Sequence, residues 1–230
     1  FLHALRATAP AAVQVQVAGA TAIPELLARW KVGAVVTYDN FRAGIAEHCQ
    51  QRGIPCLAAN PQHERTPNAV HIDDGAGVAA AAERVLAAGC QRLALCAPRV
   101  DHQSHRRRIA ALERVAAAHG VPCQIAEARD FAKASADLAL GGAQGCGLLV
   151  LGDWYLAATS RAGPRDRVVS IKRPWSPWIR ADLVVETPWD RVAALCVKRI
   201  ESQWAGGAPG RSVTIAGQLE EYSCSSDSSF

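Results

Sequence analysis

Short apolar runs alternate with helical patterns along most of the 230-residue chain. Runs such as GAVVTY (33–38) and GLLVLG (147–152) are apolar at consecutive positions, which is typical of strands buried on both faces of a parallel sheet. The pattern predicts strands at 13–18, 33–38, 54–58, 69–72, 92–97, 122–126, 147–152, 167–171, 182–186 and 212–216.

The predicted helices lie between these strands. Their apolar residues recur at helical spacing, as in Ile109, Leu112 and Ala116, and Gly89 and Gly120 stand just past two helix ends. The helices are expected near residues 1–9, 23–31, 41–52, 76–88, 104–119, 131–140, 153–161 and 189–204. A second stripe, in the last of these helices, comprises Val192, Cys196 and Ile200.

This alternation predicts a doubly wound α/β fold. The number of strands favours two parallel-sheet lobes over a single sheet. No Pro/Gly/Ser-rich linker separates the two halves of the sequence, so we expect the chain to cross between the lobes several times. The polar end SCSSDSSF is expected to be frayed.

Composition narrows the class of protein. Half of the residues are hydrophobic and 20% are charged, as in soluble globular proteins. No apolar run approaches the roughly 18 residues that a membrane-spanning helix needs, so we expect no membrane partner. The start FLHALRATAP has no signal-peptide pattern, and the absence of methionine indicates that residue 1 is not the start of the gene product. The net charge of +4 neither indicates nor excludes nucleic acid.

The eight cysteines are expected to be free thiols. Most lie in or beside apolar runs, and no C-x-x-C occurs, which favours a reducing cytoplasm over an oxidising compartment. His102 and His105 form H-x-x-H without a convincing third ligand, so we expect no metal. G-x-S-x-G, H-E-x-x-H and P-loop motifs are all missing, and we expect no catalytic residue.

Gly75, Gly77 and Ala80 spell G-x-G-x-x-A, the pattern of a dinucleotide-binding turn. Such a turn needs an acid at the end of the next strand, but RLALCA (92–97) ends without one. Asp73 and Asp74 would also place negative charge where a pyrophosphate docks. We therefore expect no nicotinamide cofactor; Asp74 is predicted to cap the following helix, and the glycines to allow a tight turn.

Several segments, in the same order, resemble the lactose/galactose repressor (LacI/GalR) family. These are HIDDGAGVAAAAERVLAAGCQRLALCA (71–97), RRRIAALERVAAAHGVP (106–122), LVLGDWYLA (149–157), RVVSI (167–171), VAALCVKRIESQWAGG (192–207) and VTIAGQLEEYSC (213–224). Gly152 departs from the asparagine that the family places before its aspartate. Ala111 and Leu112 replace the family's Gly-Phe pair.

The resemblance implies an effector-binding domain of the type I periplasmic-binding-protein-like fold, with two lobes joined by three crossings. The N-terminal lobe would comprise 1–91 plus 179–205, and the C-terminal lobe 92–178 plus 206–230. FLHALRATAP resembles the helix after the family's first strand, so that strand and a DNA-binding helix-turn-helix would lie upstream. Operator DNA would be bound through that missing N-terminal domain, and the protein would be a cytoplasmic homodimer.

Ligands of open α/β sheets bind beyond the carboxyl ends of the strands. The polar and aromatic residues expected there are Tyr38, Asp39, Asn40, Asp101, His102, Ser104, Asp153, Trp154, Lys172, Arg173 and Trp175. Asp153 could accept ligand hydroxyls or cap a helix, whereas Trp154 and Trp175 could stack on a sugar or pack against the lobes. By resemblance, Arg108 is the effector-clamping arginine; alternatively, HRRR (105–108) is a solvated helix start.

Lys172 and Arg173 stand where many members of the family carry acids that grip a neutral sugar. This reversal of charge favours an anionic effector such as a sugar acid or a sugar phosphate, unless the turn lies on the surface. The sequence therefore predicts the effector-binding domain of a LacI-type transcriptional regulator, which is not an enzyme. The alternatives are a solute-binding protein of a sugar transport system and, third, an NAD-dependent enzyme.

Overall fold

The computed structural model describes most of the chain. It covers residues 2–10, 25, 27, 29, 31–38, 43–97, 102–128, 130–136, 138–171, 181 and 183–221, without the side chains of residues 43 and 153. The predicted strand at 13–18 and most of the predicted helix at 23–31 lie outside the described residues.

The described elements alternate between strand and helix, as the sequence predicts. The strands are β1 (Val35–Tyr38), β2 (Cys56–Ala59), β3 (Ala69–Asp73), β4 (Arg92–Ala97), β5 (Cys123–Glu127), β6 (Cys146–Leu151), β7 (Arg167–Ile171), β8 (Leu183–Glu186), β9 (Val213–Ala216) and β10 (Gln218–Glu221). The helices are α1 (Leu2–Thr8), α2 (Ala43–Gln51), α3 (Gly75–Ala87), α4 (Gln103–His119), α5 (Phe131–Ala134), α6 (Tyr155–Thr159) and α7 (Trp189–Trp204), with a 3₁₀ turn at Gly152–Trp154.

The chain divides into two compact units. Unit 1 comprises Phe1–Ile72 and Pro188–Ile215, and unit 2 comprises Asp73–Thr187 and Ala216–Phe230. The chain therefore passes between the units three times, at 72/73, 187/188 and 215/216.

These boundaries differ from the predicted lobes, 1–91 plus 179–205 and 92–178 plus 206–230. Helix α3 belongs to unit 2 because its apolar face, with Val78, Ala82 and Val85, packs into the same core as β4 and α4. Strand β8 pairs with β7 in unit 2, and residues 206–215 lead into β9 of unit 1. The packing of α3 and the pairing of β8 and β9 place each crossing at a different residue from the one predicted.

Among the described strands, unit 1 contains a four-stranded sheet in the order β1-β2-β3-β9. Strands β1, β2 and β3 pair in parallel, with Val35 opposite Cys56 and Ala58 opposite Ala69. One cluster of its core includes Leu57 and Val70 together with Val192 and Cys196 of the predicted stripe of α7. Ile200, the third residue of that stripe, is also buried.

Unit 2 contains a six-stranded sheet in the order β10-β8-β7-β6-β4-β5. The five strands β4 to β8 are parallel, which confirms the predicted fold class, and helices cover both faces. Strand β10 was not predicted; it pairs antiparallel with β8, with Gln218 opposite Glu186.

The predicted helix ends are confirmed where glycine adopts the left-handed conformation. Gly120, with φ 64°, caps α4, and Gly89, with φ 95°, follows α3. Helix α5 is shorter than the predicted 131–140, and Ala139 takes a left-handed φ of 45°, which a right-handed helix cannot contain. In the described part of the chain, no helix is long and apolar enough to cross a membrane.

Candidate functional site

The strand order of unit 2 defines a crevice at the carboxyl end of its sheet. Strand β4 lies between β5 on one side and β6 on the other, so the chain winds in opposite directions from this point. Ligands of doubly wound sheets bind outside the carboxyl ends of the strands at such a switch point. Helix α4 begins just beyond β4, and the 3₁₀ turn Gly152–Trp154 follows β6.

His102 caps the start of α4. Its Nδ1 accepts from the backbone N–H of Ser104 at 3.2 Å and lies 2.8 Å from the Ser104 hydroxyl. Because Nδ1 is an acceptor, the neutral ring carries its proton on Nε2. The two predicted site residues His102 and Ser104 are therefore brought together. They fix each other's geometry at the positive end of a 17-residue helix whose first turn has no acid.

Trp154 lies beside the same crevice but is partly used in packing. Its ring is 6.0 Å from that of Phe131, tilted by 56°, and it packs against the core cluster under the sheet. The guanidinium of Arg161 lies 5.8 Å from the Phe131 ring and donates to the Ser135 hydroxyl at 2.9 Å. Half-buried Trp154 thus fulfils the packing alternative, and stacking on a ligand stays a prediction.

Arg108 is not part of a solvated helix start. It is 1% exposed, and its Nε and Nη2 both donate to Oδ2 of Asp74, with an Nε–Oδ2 distance of 3.0 Å. Asp74 is 0% exposed and accepts on Oδ1 from the hydroxyl of Thr187 at 3.0 Å. A buried charge persists only when it is paired and hydrogen-bonded, and this pair meets that condition.

The pairing changes the predicted electrostatics. A second pair, between Arg107 and Asp73, has an N–O distance of 3.9 Å. The two acids before α3 thus face two arginines of α4 rather than an open anion site. Because Arg108 and Asp74 are both buried and bonded to each other, the pair is not an exposed anion site.

The predicted cap of α3 is wrong in its details. Asp74 occupies the capping position without a side-chain capping bond, because its carboxylate is held by Arg108 and Thr187. Asp73 serves the helix instead, since its Oδ1 accepts from the backbone N–H of Gly75 at 2.8 Å.

The glycines of the G-x-G-x-x-A turn allow close packing. A Cβ on Gly77 would lie 2.7 Å from Cγ1 of Val185 and 3.1 Å from the carbonyl carbon of Gln218. Strands β8 and β10 therefore occupy the space that a dinucleotide would need beside this glycine. The motif is explained by helix-to-sheet contact.

The carboxyl ends of the strands in unit 1 carry further polar and aromatic groups. Tyr38 at the end of β1 lies 5.9 Å from Trp189, edge to face. Asn60 directly follows β2, is 2% exposed and takes φ 48°. Trp189, Asn60 and Thr187 were not predicted as site residues. Thr187 directly follows the predicted strand 182–186, Trp189 begins the predicted helix 189–204 and Asn60 lies two residues after the predicted strand 54–58, so proximity to a predicted element end was the available signal.

The predicted ligand residues that lie outside the described residues are Asp39, Asn40, Asp101, Lys172, Arg173 and Trp175, together with the side chain of Asp153. Among the described residues, no group of three or more His, Cys, Asp or Glu could hold a metal ion.

The two-sheet architecture and the crossings define the class of fold, which is shared with solved structures of LacI-type repressors and of a periplasmic binding protein/LacI transcriptional regulator. The dimeric Lac repressor with an 11-residue C-terminal deletion superposes with a TM-score of 0.69 and 16% identity, covering 96% of this chain and 90% of that chain. A putative ribose operon repressor from Burkholderia thailandensis superposes with a TM-score of 0.70 and 19% identity. The match covers 88% of this chain and 82% of that chain.

A third structure is a periplasmic binding protein/LacI transcriptional regulator from Alkaliphilus metalliredigens QYMF, complexed with D-xylulofuranose. It gives a TM-score of 0.66 and 12% identity, covering 87% of this chain and 80% of that chain. No protein-family model and no curated protein sequence matches the chain. The likeness therefore defines the fold, in agreement with the resemblance read from the sequence.

Proposed function

We propose that the chain is the ligand-sensing domain of a LacI-type DNA-binding transcriptional regulator and has no catalytic activity. The observation that carries the proposal is the buried Arg108–Asp74 pair at the carboxyl edge of the unit 2 sheet. This edge belongs to a fold whose similar structures are named as repressors and regulators. Binding of a small molecule would shift the protein between DNA-competent and DNA-incompetent states.

The effector is proposed to be a sugar or a close relative of one. An effector that opens the buried pair would meet donors on Arg108 and acceptors on Asp74, which together suit vicinal hydroxyl groups, and half-buried Trp154 suits the apolar face of a sugar ring. One structure of similar fold is complexed with D-xylulofuranose, and another is named for a ribose operon. Lys172 and Arg173 add the possibility of a sugar acid or a sugar phosphate.

The proposed partners are a second copy of the chain and operator DNA. We infer a homodimer, in keeping with the dimeric Lac repressor of similar fold, and contact with operator DNA through a helix-turn-helix outside this sequence.

The test is a thermal-shift panel with D-ribose, D-gluconate, glucose 6-phosphate and NAD⁺. A ligand present at 100 times its Kd stabilises the folded state by about 2.7 kcal/mol, which raises Tm by several degrees. We expect a shift with one of the sugar-like compounds and none with NAD⁺. In Arg108→Lys, which keeps the charge but loses the planar fork, the affinity should fall at least about tenfold.

Arg114→Lys is the matched control, since Arg114 lies on the exposed face of the same helix. It should bind like the wild type. Equal loss of the shift in both variants, or a shift with NAD⁺ alone, would contradict the proposed site.

The second candidate function is a solute-binding protein of a sugar transport system, because one structure of similar fold carries both names. A helix-turn-helix encoded upstream would favour the regulator, and a secretory leader would favour the transport protein.

A further inference from the structure

The residues next to all three crossings meet at Asp74. Asp73 and Asp74 directly follow the first crossing, Thr187 directly precedes the second, and Gly217 stands two residues after Ile215 at the third. All four residues belong to unit 2.

Each of these segments is bonded to or packed on the Asp73–Asp74 dipeptide. The Thr187 hydroxyl donates to Oδ1 of Asp74 at 3.0 Å, and the backbone N–H of Gly217 donates to the carbonyl of Asp73 at 2.8 Å. Gly217 also packs so closely that a Cβ there would overlap Oδ1 of Asp74.

The other carboxylate oxygen points to helix α4. Oδ2 of Asp74 accepts from two nitrogens of Arg108, so a single buried carboxylate joins the crossings to the arginine of the candidate site. The pairing of Gln218 with Glu186 brings the second and third crossings side by side at this point.

We propose that Asp74 is a crossing anchor: its carboxylate bonds Thr187 at the second crossing and Arg108, while Gly217 at the third crossing packs on it and bonds the adjacent carbonyl of Asp73, so that Thr187 and Gly217 are its positioning residues. This inference rests on the proposed function for its biological role, since an effector that takes bonds from Arg108 loosens or shifts Asp74. The crossings would then respond, because removing one partner of a buried carboxylate leaves its charge less compensated and makes its remaining bonds to Thr187 and Arg108 decisive for its position.

The experiment is amide hydrogen exchange of the ligand-free protein, measured by NMR at Gly217 and at the core amide of Leu149. Thr187→Val removes the hydroxyl and keeps the shape of the side chain. We expect exchange at Gly217 to become about tenfold faster, while the Leu149 amide changes little. Thr187→Ser restores the hydroxyl and should restore slow exchange.

Three further variants test the link to Arg108 and the specificity of the effect. Arg108→Lys should also accelerate exchange at Gly217, whereas Arg114→Lys should not. Thr66→Val is the matched control, because Thr66 is a buried threonine of unit 1 that donates to the carbonyl of His63 at 2.9 Å. It should leave the Gly217 amide unchanged.

Unchanged exchange at Gly217 in Thr187→Val, or an equal acceleration at Gly217 and Leu149, would overturn the crossing anchor. The measurement uses no ligand. If no compound shifts Tm but exchange at Gly217 accelerates in Thr187→Val, the proposed effector is refuted and the crossing anchor stands. If a sugar-like compound shifts Tm but exchange at Gly217 is unchanged, the effector stands and the crossing anchor is refuted.

Discussion

At the scale of single residues, buried carboxylates organise the backbone of unit 2. Asp166 is 6% exposed and accepts from three backbone N–H groups, those of Gly141, Cys146 and Gly163, at 2.7 to 2.9 Å. An ionised carboxylate suits this role because it has only acceptors, and its bonds to N–H groups are strengthened by charge. Asp166 thereby joins the loops before β6 and β7.

Asp166→Asn should lower the free energy of unfolding by about 2 to 4 kcal/mol, because an amide N–H₂ would face backbone donors. Urea denaturation measures the change. Asp130→Asn is the control, since exposed Asp130 caps α5 through the N–H of Lys133 and asparagine caps helices equally well. A loss for Asp166→Asn no greater than that for Asp130→Asn would contradict the role assigned to Asp166.

At the scale of elements, helix α3 depends on the absence of a side chain at Gly77. The glycine lets the helix approach Val185 of β8 and the backbone of Gln218. A methyl group at position 77 would fit only if the helix or its neighbours moved apart. The same helix directly follows Asp73 and Asp74, so its position affects theirs.

Gly77→Ala should destabilise the protein by about 1 to 3 kcal/mol, although alanine favours helices, because overpacking outweighs propensity. The matched variant is Gly44→Ala in α2, where nothing lies within 4 Å of the new Cβ. That change should be neutral or stabilise by up to about 1 kcal/mol. Thermal unfolding distinguishes the two, and a Gly77→Ala protein as stable as Gly44→Ala would show that the helix can shift at little cost.

At the scale of the whole molecule, buried thiols in both units couple stability to alkaline pH. Desolvation raises the pKa of Cys96 to about 11 and the pKa values of Cys146 and Cys196 to about 12, from an ordinary value of 9.0. Above pH 9 the unfolded thiols ionise while the folded thiols stay neutral. The free energy of unfolding is therefore constant with respect to these groups below pH 9 and falls between pH 9 and about 12.

Cys196→Ala should make the protein less stable at pH 8 but reduce its alkaline sensitivity. Between pH 8 and pH 10 the wild type should lose about 1.4 kcal/mol more than the variant, the contribution of one ionising thiol. Urea denaturation under reducing conditions gives both values. Parallel pH profiles would show that Cys196 keeps an ordinary pKa in the folded state.

The pattern of apolar residues determined the order of strands and helices, and with it the α/β class. Local rules suffice for this result, because a doubly buried strand such as β6 must be apolar throughout and a left-handed helix end such as Gly120 favours glycine. The free, mostly buried thiols followed from the same pattern and are confirmed for the seven described cysteines. The resemblance of ordered segments then led to the type I fold.

Only the tertiary structure decided how charged and polar residues far apart in sequence are paired. The resemblance singled out Arg108 as a ligand contact, but its burial and its pairing with Asp74 were not predicted, because they depend on where Asp74 and Thr187 lie in the folded unit. Strand β10 and the exact crossing points depend likewise on pairing with β8. These contacts join segments about 30 to 140 residues apart, whose meeting is set by packing of the whole sheet rather than by local propensity.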